Sequence, residues 1–138
     1  MGNVTSVKSK TFAANGASTA AICANQTNSG SGSMTLTDTG KNGVLVPGNL
    51  GTTITIISTT GTTNAGITFD VTGMDINGES ASQTAITGPA GSATVTTTQV
   101  FVSVTSITHS GTCTDVSCGI TATTTGTGVV TPGRTRIR

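Results

Sequence analysis

Threonine fills 33 of the 138 positions in this chain, and it narrows the available folds more than any other feature. Thr is β-branched, stiff at χ1, and suits a pleated strand better than a helix. It comes in runs such as Thr52-Thr53-Ile54-Thr55 and Thr94-Val95-Thr96-Thr97-Thr98. Its methyl packs against apolar neighbours while its hydroxyl faces water. A chain built this way forms sheets whose outer faces are neither charged nor greasy.

No segment sustains a helical period, because Gly, Asn, Ser and Thr interrupt every stretch long enough to test. Strand-like runs recur instead, at the spacing of a sandwich or barrel. They are Val4–Ala13, Ser18–Ala24, Ser33–Thr39, Gly43–Val46, Thr52–Thr60, Gly66–Met74, Ser80–Thr87, Thr94–Thr98, Phe101–His109, Gly119–Thr125 and Val129–Ile137. Asn25–Gly32 and Gly40–Gly51 read as loops by composition. The expected fold is all-β: a single antiparallel β-sandwich, Ig-like or jelly-roll-like, over residues 1–132. Extended termini flank it, with a basic tail at 133–138.

Local chemistry sets part of the register. Asn77-Gly78, between two strand-like runs, is the strongest short hairpin signal, so Gly66–Met74 should pair antiparallel with Ser80–Thr87. Gly88-Pro89-Ala90-Gly91 reads as a second turn. Ile67, Phe69 and Val71 alternate with Thr68, Asp70 and Thr72, which places the first three in the core. Phe101, Val104 and Ile107 are also core candidates. Their spacing of three breaks alternation and predicts a bulge near Ser103–Ser106. With no Trp or Tyr and three Phe, the core must be largely aliphatic.

Charged residues make up 8% of the chain and the net charge is +1, against about 25% charged in an average soluble protein. No field of one sign covers the molecule, which argues against general nucleic-acid binding. No apolar run approaches the roughly 18 residues of a membrane span. Met1-Gly2-Asn3-Val4 leads into polar residues without the apolar core of a signal peptide. Synthesis in a cytoplasm, without export by the ordinary route, is the expectation.

Three stretches carry a resemblance. They are Ile-Thr-Phe-Asp-Val-Thr-Gly-Met-Asp-Ile-Asn-Gly-Glu from Ile67, Ile-Thr-Gly-Pro-Ala-Gly at Ile86–Gly91, and Val-Thr-Thr-Thr-Gln-Val-Phe-Val-Ser-Val-Thr-Ser-Ile-Thr at Val95–Thr108. Together they resemble a small β-sandwich of tailed-bacteriophage structural proteins, with its TGTDxDG hairpin, ITGP turn and TTxxFxxVTSIT strand. The resemblance spans residues 67–108. It implies a virion component: a capsid decoration or cement protein on the major capsid protein, or a head–tail connector, collar or tail protein. Such a protein would be multi-copy or homo-oligomeric, without catalytic residues, cofactor, membrane or nucleic-acid partner.

The remaining chemistry lies outside those motifs. Cys113 and Cys118 bracket Thr114-Asp115-Val116-Ser117, whose composition is turn-like. A bridge between them would staple a short loop, worth less than roughly 3 kcal/mol. Cys23 would then be free or paired between subunits; buried thiols are the other reading. A cytosol keeps thiols reduced, whereas a virion works where oxidation occurs. His109, Cys113, Cys118 and Cys23 form a Cys3His set that zinc accepts, but their spacing is not that of a zinc knuckle. No metal site is expected, and a lone His at a strand end reads as a surface residue.

Asp75-x-Asn77-Gly78 is explained by the hairpin and lacks the further ligands of a calcium loop. Asp70 and Glu79 could approach across the hairpin, but the chain has almost no aromatic platform for a sugar. That shortage also weakens an adhesin-type binding module. The missing Thr repeat period weakens an ice-binding surface, and no nucleophile elbow or phosphate loop suggests an enzyme. Arg134, Arg136 and Arg138 share one face of an extended tail and read as a dock onto an acidic partner or sheet edge. Lys8 and Lys10 alternate likewise near the start.

Overall fold

The computed structural model describes residues 18–37 and 51–121, with the backbone of two short strands at 8–11 and 127–130. The described residues form ten strands: β1 (Lys8–Thr11), β2 (Ser18–Asn28), β3 (Gly32–Ser33), β4 (Ile54–Ser58), β5 (Thr68–Met74), β6 (Ser80–Thr87), β7 (Thr94–Thr96), β8 (Ser103–His109), β9 (Cys113–Ile120) and β10 (Thr127–Val130). The strand-like runs at 43–46 and 131–137, and the domain limit at 132, lie outside the described residues.

Among the described residues all strand pairing is antiparallel, and one set of pairs runs in reverse order along the chain. β5 pairs with β6, β4 with β7, β3 with β8, β2 with β9 and β1 with β10. The chain is one long ribbon doubled back at Asp75–Glu79, its two arms zipped in reverse order. The ribbon is also wrapped, because β4 takes β9 as a second neighbour and β5 takes β8. Two four-stranded sheets result, β2-β9-β4-β7 and β3-β8-β5-β6. From β2 to β9, every connection except the β5–β6 hairpin passes from one sheet to the other. This is the strand order of a jelly roll, a double Greek key of eight strands. Of the two sandwich types consistent with the sequence, the structure adopts this one.

At the fold of the ribbon, the Gly78 amide donates to the Asp75 carbonyl at 3.0 Å and the Asp75 amide to the Glu79 carbonyl at 2.9 Å. Gly78 has φ 79°, while positive φ at non-glycine residues is confined, among the described residues, to Ala85 and Asp115. The turn is therefore type I followed by a left-handed glycine, not the type I′ turn that also needs positive φ at Asn.

The bulge in β8 falls at Thr105. Thr72 opposes Ser106 and Gly73 opposes Val104, leaving Thr105 unopposed, with its hydroxyl donating to the Thr72 carbonyl at 3.1 Å. That extra residue is what lets Val104 and Ile107, three apart, both face inward. A Cβ on Gly73 would collide with the Ser103 carbonyl at this crowded point.

Several boundaries differ from the sequence reading: the described part of the run read as Gly119–Thr125 is the end of β9, laddered to Ile120, and the last strand starts at Thr127 rather than Val129. β2 runs on to Asn28 through the stretch read as loop. Gln26 makes this possible by exchanging side-chain hydrogen bonds with the Thr35 backbone at 2.9 and 3.0 Å, so a polar residue acts as a strand partner. Of the described residues of the run read as Ser33–Thr39, only Ser33 is laddered, as the end of β3. The following segment crosses between sheets: Met34 donates to Ile107 of β8 and Thr37 to Ile22 of β2, each at 2.8 Å. Finally, β9 begins at Cys113, within the stretch read as a turn. Asp115 there adopts φ 51°, so its turn-forming character is absorbed by an irregularity inside a strand.

The core lies between the sheets. Phe69, Val71, Phe101, Val104 and Ile107 are fully buried, with Ile22, Ile54, Ile56 and Val116 opposite; Ile67 is half-buried at the rim. Phe101 sits at the junction, bonded both ways to Thr52 at 2.8 Å while its ring lies under Gly73. Replacing Phe101 by Ala should cost about 3–5 kcal/mol, read as a lower midpoint in urea unfolding with an unchanged slope.

Candidate functional site

The hairpin tip is held by one carboxylate. Asp75 Oδ1 accepts the amides of Asn77 at 2.8 Å and Glu79 at 3.0 Å. These donors, the Glu79 amide foremost, hold the Asp75 carboxyl below its ordinary range. Asp70 is occupied elsewhere: Oδ1 accepts the amide of Ala85 at 2.7 Å, supporting that residue in its left-handed conformation at φ 56°. Asp70 therefore lies near the far end of the hairpin from Glu79, and the two carboxylates do not face each other.

The cysteines are arranged differently from the short staple that their spacing suggested. Cys113 and Cys118 occupy one strand, five steps of about 3.3 Å apart, well beyond the reach of a disulfide between Cα atoms at 4.4–6.8 Å even with a bulge between them. Cys113 opposes Asn28, whereas Cys118 opposes Cys23 directly across the β2–β9 ladder. All three are buried thiols, none bonded to another. Met34 Sδ completes the group, 4.0 Å from Cys23 Sγ and 3.6 Å from Cys118 Sγ. The contact with Cys118 holds the Cys23 thiol below its ordinary value against the opposing effect of burial. The same contact, burial and the neighbouring Cys23 and Cys113 sulfurs push Cys118 well above its own.

His109 closes β8 in the other sheet. It is 4% exposed, not a surface residue, and its ring tilts against Phe69 at 6.4 Å. Nδ1 lies 2.7 Å from the Gly111 carbonyl, which can only accept, so Nδ1 carries the hydrogen. The tight turn at Gly111 supplies the partner that makes a buried imidazole tolerable, while Nε2 is buried without one. Among the described residues, no three His, Cys, Asp or Glu side chains are placed to share a metal ion. Arg134, Arg136 and Arg138 lie outside the described residues; of Lys8 and Lys10 only the strand backbone is described.

Two side-chain clamps had no signal in the sequence, because their partners are remote. Asn64 is buried and pairs with Thr114 as a strand residue would, accepting its amide at 2.9 Å and donating to its carbonyl at 3.0 Å. Gln83 Oε1, on β6, accepts the amides of Thr98 at 2.8 Å and Gln99 at 2.9 Å, tying one sheet to the connection that leaves the other.

The surface is of two kinds. Apart from Thr52, Thr55 and Thr97, the described threonines are exposed or half-buried, so hydroxyls dominate the outside of the sandwich. At the end bearing the ribbon's fold, Met74, Ile76 and Val100 are exposed at 41%, 56% and 39%. The Val102 amide donates to the Met74 carbonyl at 2.8 Å, which brings the Val100 segment beside the hairpin. An open depression beside β8, lined by Ser33, Met34, Thr35, Leu36, Thr105 and Ser106, contains no titratable side chain. Among the described residues, no helix is long and apolar enough to cross a membrane.

Comparison with protein-family models, curated proteins and solved structures finds no match to this chain.

Asn64→Ala should destabilise the fold by roughly 1–3 kcal/mol, because it strands the Thr114 amide and carbonyl; chemical denaturation measures it. Asp75→Ala should lose stability in a pH-dependent way. The folded carboxyl is depressed below the unfolded value of about 3.9, so its stabilisation is full above that pH and fades as pH falls through the folded value. The gap between wild type and variant in urea melts should therefore be constant near neutrality and close in acid.

Proposed function

We propose that this protein is a non-enzymatic structural component of a tailed-bacteriophage virion, seated as a decoration or cement protein on the major capsid protein. The observation that carries this reading is the distribution of side chains over the jelly roll. Aliphatic residues and Phe fill the interior, threonine hydroxyls lie mostly outside, and Met74, Ile76 and Val100 are exposed large apolar residues near the hairpin. A neutral hydroxyl surface makes many weak contacts without the self-repulsion of a charged one. Exposed apolar side chains of this kind are what the core of a specific protein interface uses. The stretch resembling phage structural proteins forms the ribbon's fold, β5 to β8, and so includes those residues.

Jelly rolls serve viral capsid proteins, lectins and cupins alike, so the topology supports this reading only by analogy. The shortage of aromatic residues disfavours the lectin-like alternative. A head–tail connector, collar or tail role is distinguished by copy number: hundreds per particle for decoration, a single ring for a connector.

Particles lacking this protein should lose infectivity on heating at lower temperature than complete particles; equal heat resistance rejects the cement role. Ile76→Asp, at an exposed site, should leave the Tm of the isolated protein within about 2 °C. It should nonetheless reduce occupancy on purified particles, counted by quantitative gel or cryo-EM.

A further inference from the structure

We infer that Cys23 and Cys118 are a site of oxidative modification, forming an intramolecular disulfide that seals the ribbon between β2 and β9. The inference rests on the sulfur geometry alone and stands or falls independently of the virion reading.

Residues directly opposed in an antiparallel ladder have Cα atoms about 4.5–5.5 Å apart, inside the 4.4–6.8 Å range of disulfides. Cys23 and Cys118 are such a pair. Their side chains also lie on the same side of the sheet: both are fully buried, and both sulfurs converge on Met34 Sδ at 4.0 and 3.6 Å. Cys113, opposite Asn28, is outside this arrangement.

The oxidant is a small disulfide such as glutathione disulfide. The Cys23 thiolate attacks one of its sulfurs, breaking the S–S bond and releasing one glutathione. The Cys118 thiolate then attacks Cys23 Sγ in the mixed disulfide and releases the second. Two protein thiols lose two protons and two electrons, and two glutathione thiols gain them. Burial of both sulfurs makes the closed fold slow to react. However, β2 is the outer strand of its sheet, laddered only to β9. It can open locally, exposing Cys23, without separating β9 from β4. The bond would join positions 95 apart in sequence, near the open end of the ribbon, where zipping is last to close.

The test uses the full chain, incubated with glutathione disulfide in buffer and in urea below the unfolding transition, against a fully reduced control. Remaining thiols are alkylated, and the protein is digested with trypsin and a protease cutting before Asp. The cut before Asp115 separates Cys113 from Cys118. The expected product is a monomer lighter by about 2 Da, with the Cys23 and Cys118 peptides joined and Cys113 alkylated. Its Tm should rise by on the order of 10 °C and fall back on reduction. Cys113→Ala should behave as wild type, and Cys23→Ala should form no internal bond. A cross-link containing Cys113, a disulfide-linked dimer, or unchanged mass after oxidation in urea would each overturn the assignment. The wild-type peptide map decides even if a cysteine variant fails to fold.

Discussion

Everything in this fold depends on the reverse-order pairing of two arms of one ribbon. Once Asp75–Glu79 turns the chain back, β5 meets β6 and each earlier strand has one partner on the returning arm, out to β1 and β10. A flat ribbon cannot bury an apolar face. Wrapping it, so that β4 meets β9 and β5 meets β8, places two such faces against each other. The core of Phe69, Phe101, Ile54, Ile56 and Ile107 is the result. Partner separation grows outward from the turn, from six positions at Met74 and Ser80 to 95 at Cys23 and Cys118. Each added pair therefore closes a longer loop at greater entropic cost.

Wrapping bends the strands, and the irregular residues sit at the bends. Thr105, Ala85 and Asp115 each disturb a ladder, and each is stabilised by a specific hydrogen bond: Thr105 to the Thr72 carbonyl, the Ala85 amide to Asp70, the Asp115 carboxylate from Thr60. Asn64 and Gln83 replace backbone ladders where the chain passes between sheets. The sulfurs of Cys23 and Cys118 meet that of Met34 beneath the outer strand. The same wrapping leaves most threonine hydroxyls of residues 18–37 and 51–121 outside, with Met74, Ile76 and Val100 exposed near the hairpin.

Several elements were legible because their causes are local. The alternation of Ile67, Phe69 and Val71 against Thr and Asp depends only on the pleat of one strand. The Asn-Gly pair announces a hairpin wherever it occurs between strand-like runs, and the three-residue spacing of Val104 and Ile107 announces a bulge. The type of turn was less legible, because Asn and Gly suit either of two turns and cross-strand twist selects between them.

The sequence by itself determined an all-β chain with hydroxyl-rich surfaces, an aliphatic core and a reversal at Gly78. β-branching, side-chain alternation and glycine's tolerance of positive φ are properties of short segments. Only the tertiary structure decided that the sandwich is a jelly roll, that Cys118 faces Cys23 rather than Cys113, and that His109 is buried. Those outcomes depend on which strand lies beside which, with His109 beside Phe69 40 positions away and Cys118 beside Cys23 95 away. Composition and spacing carry no record of that pairing, because it is set by the wrapping of the ribbon as a whole.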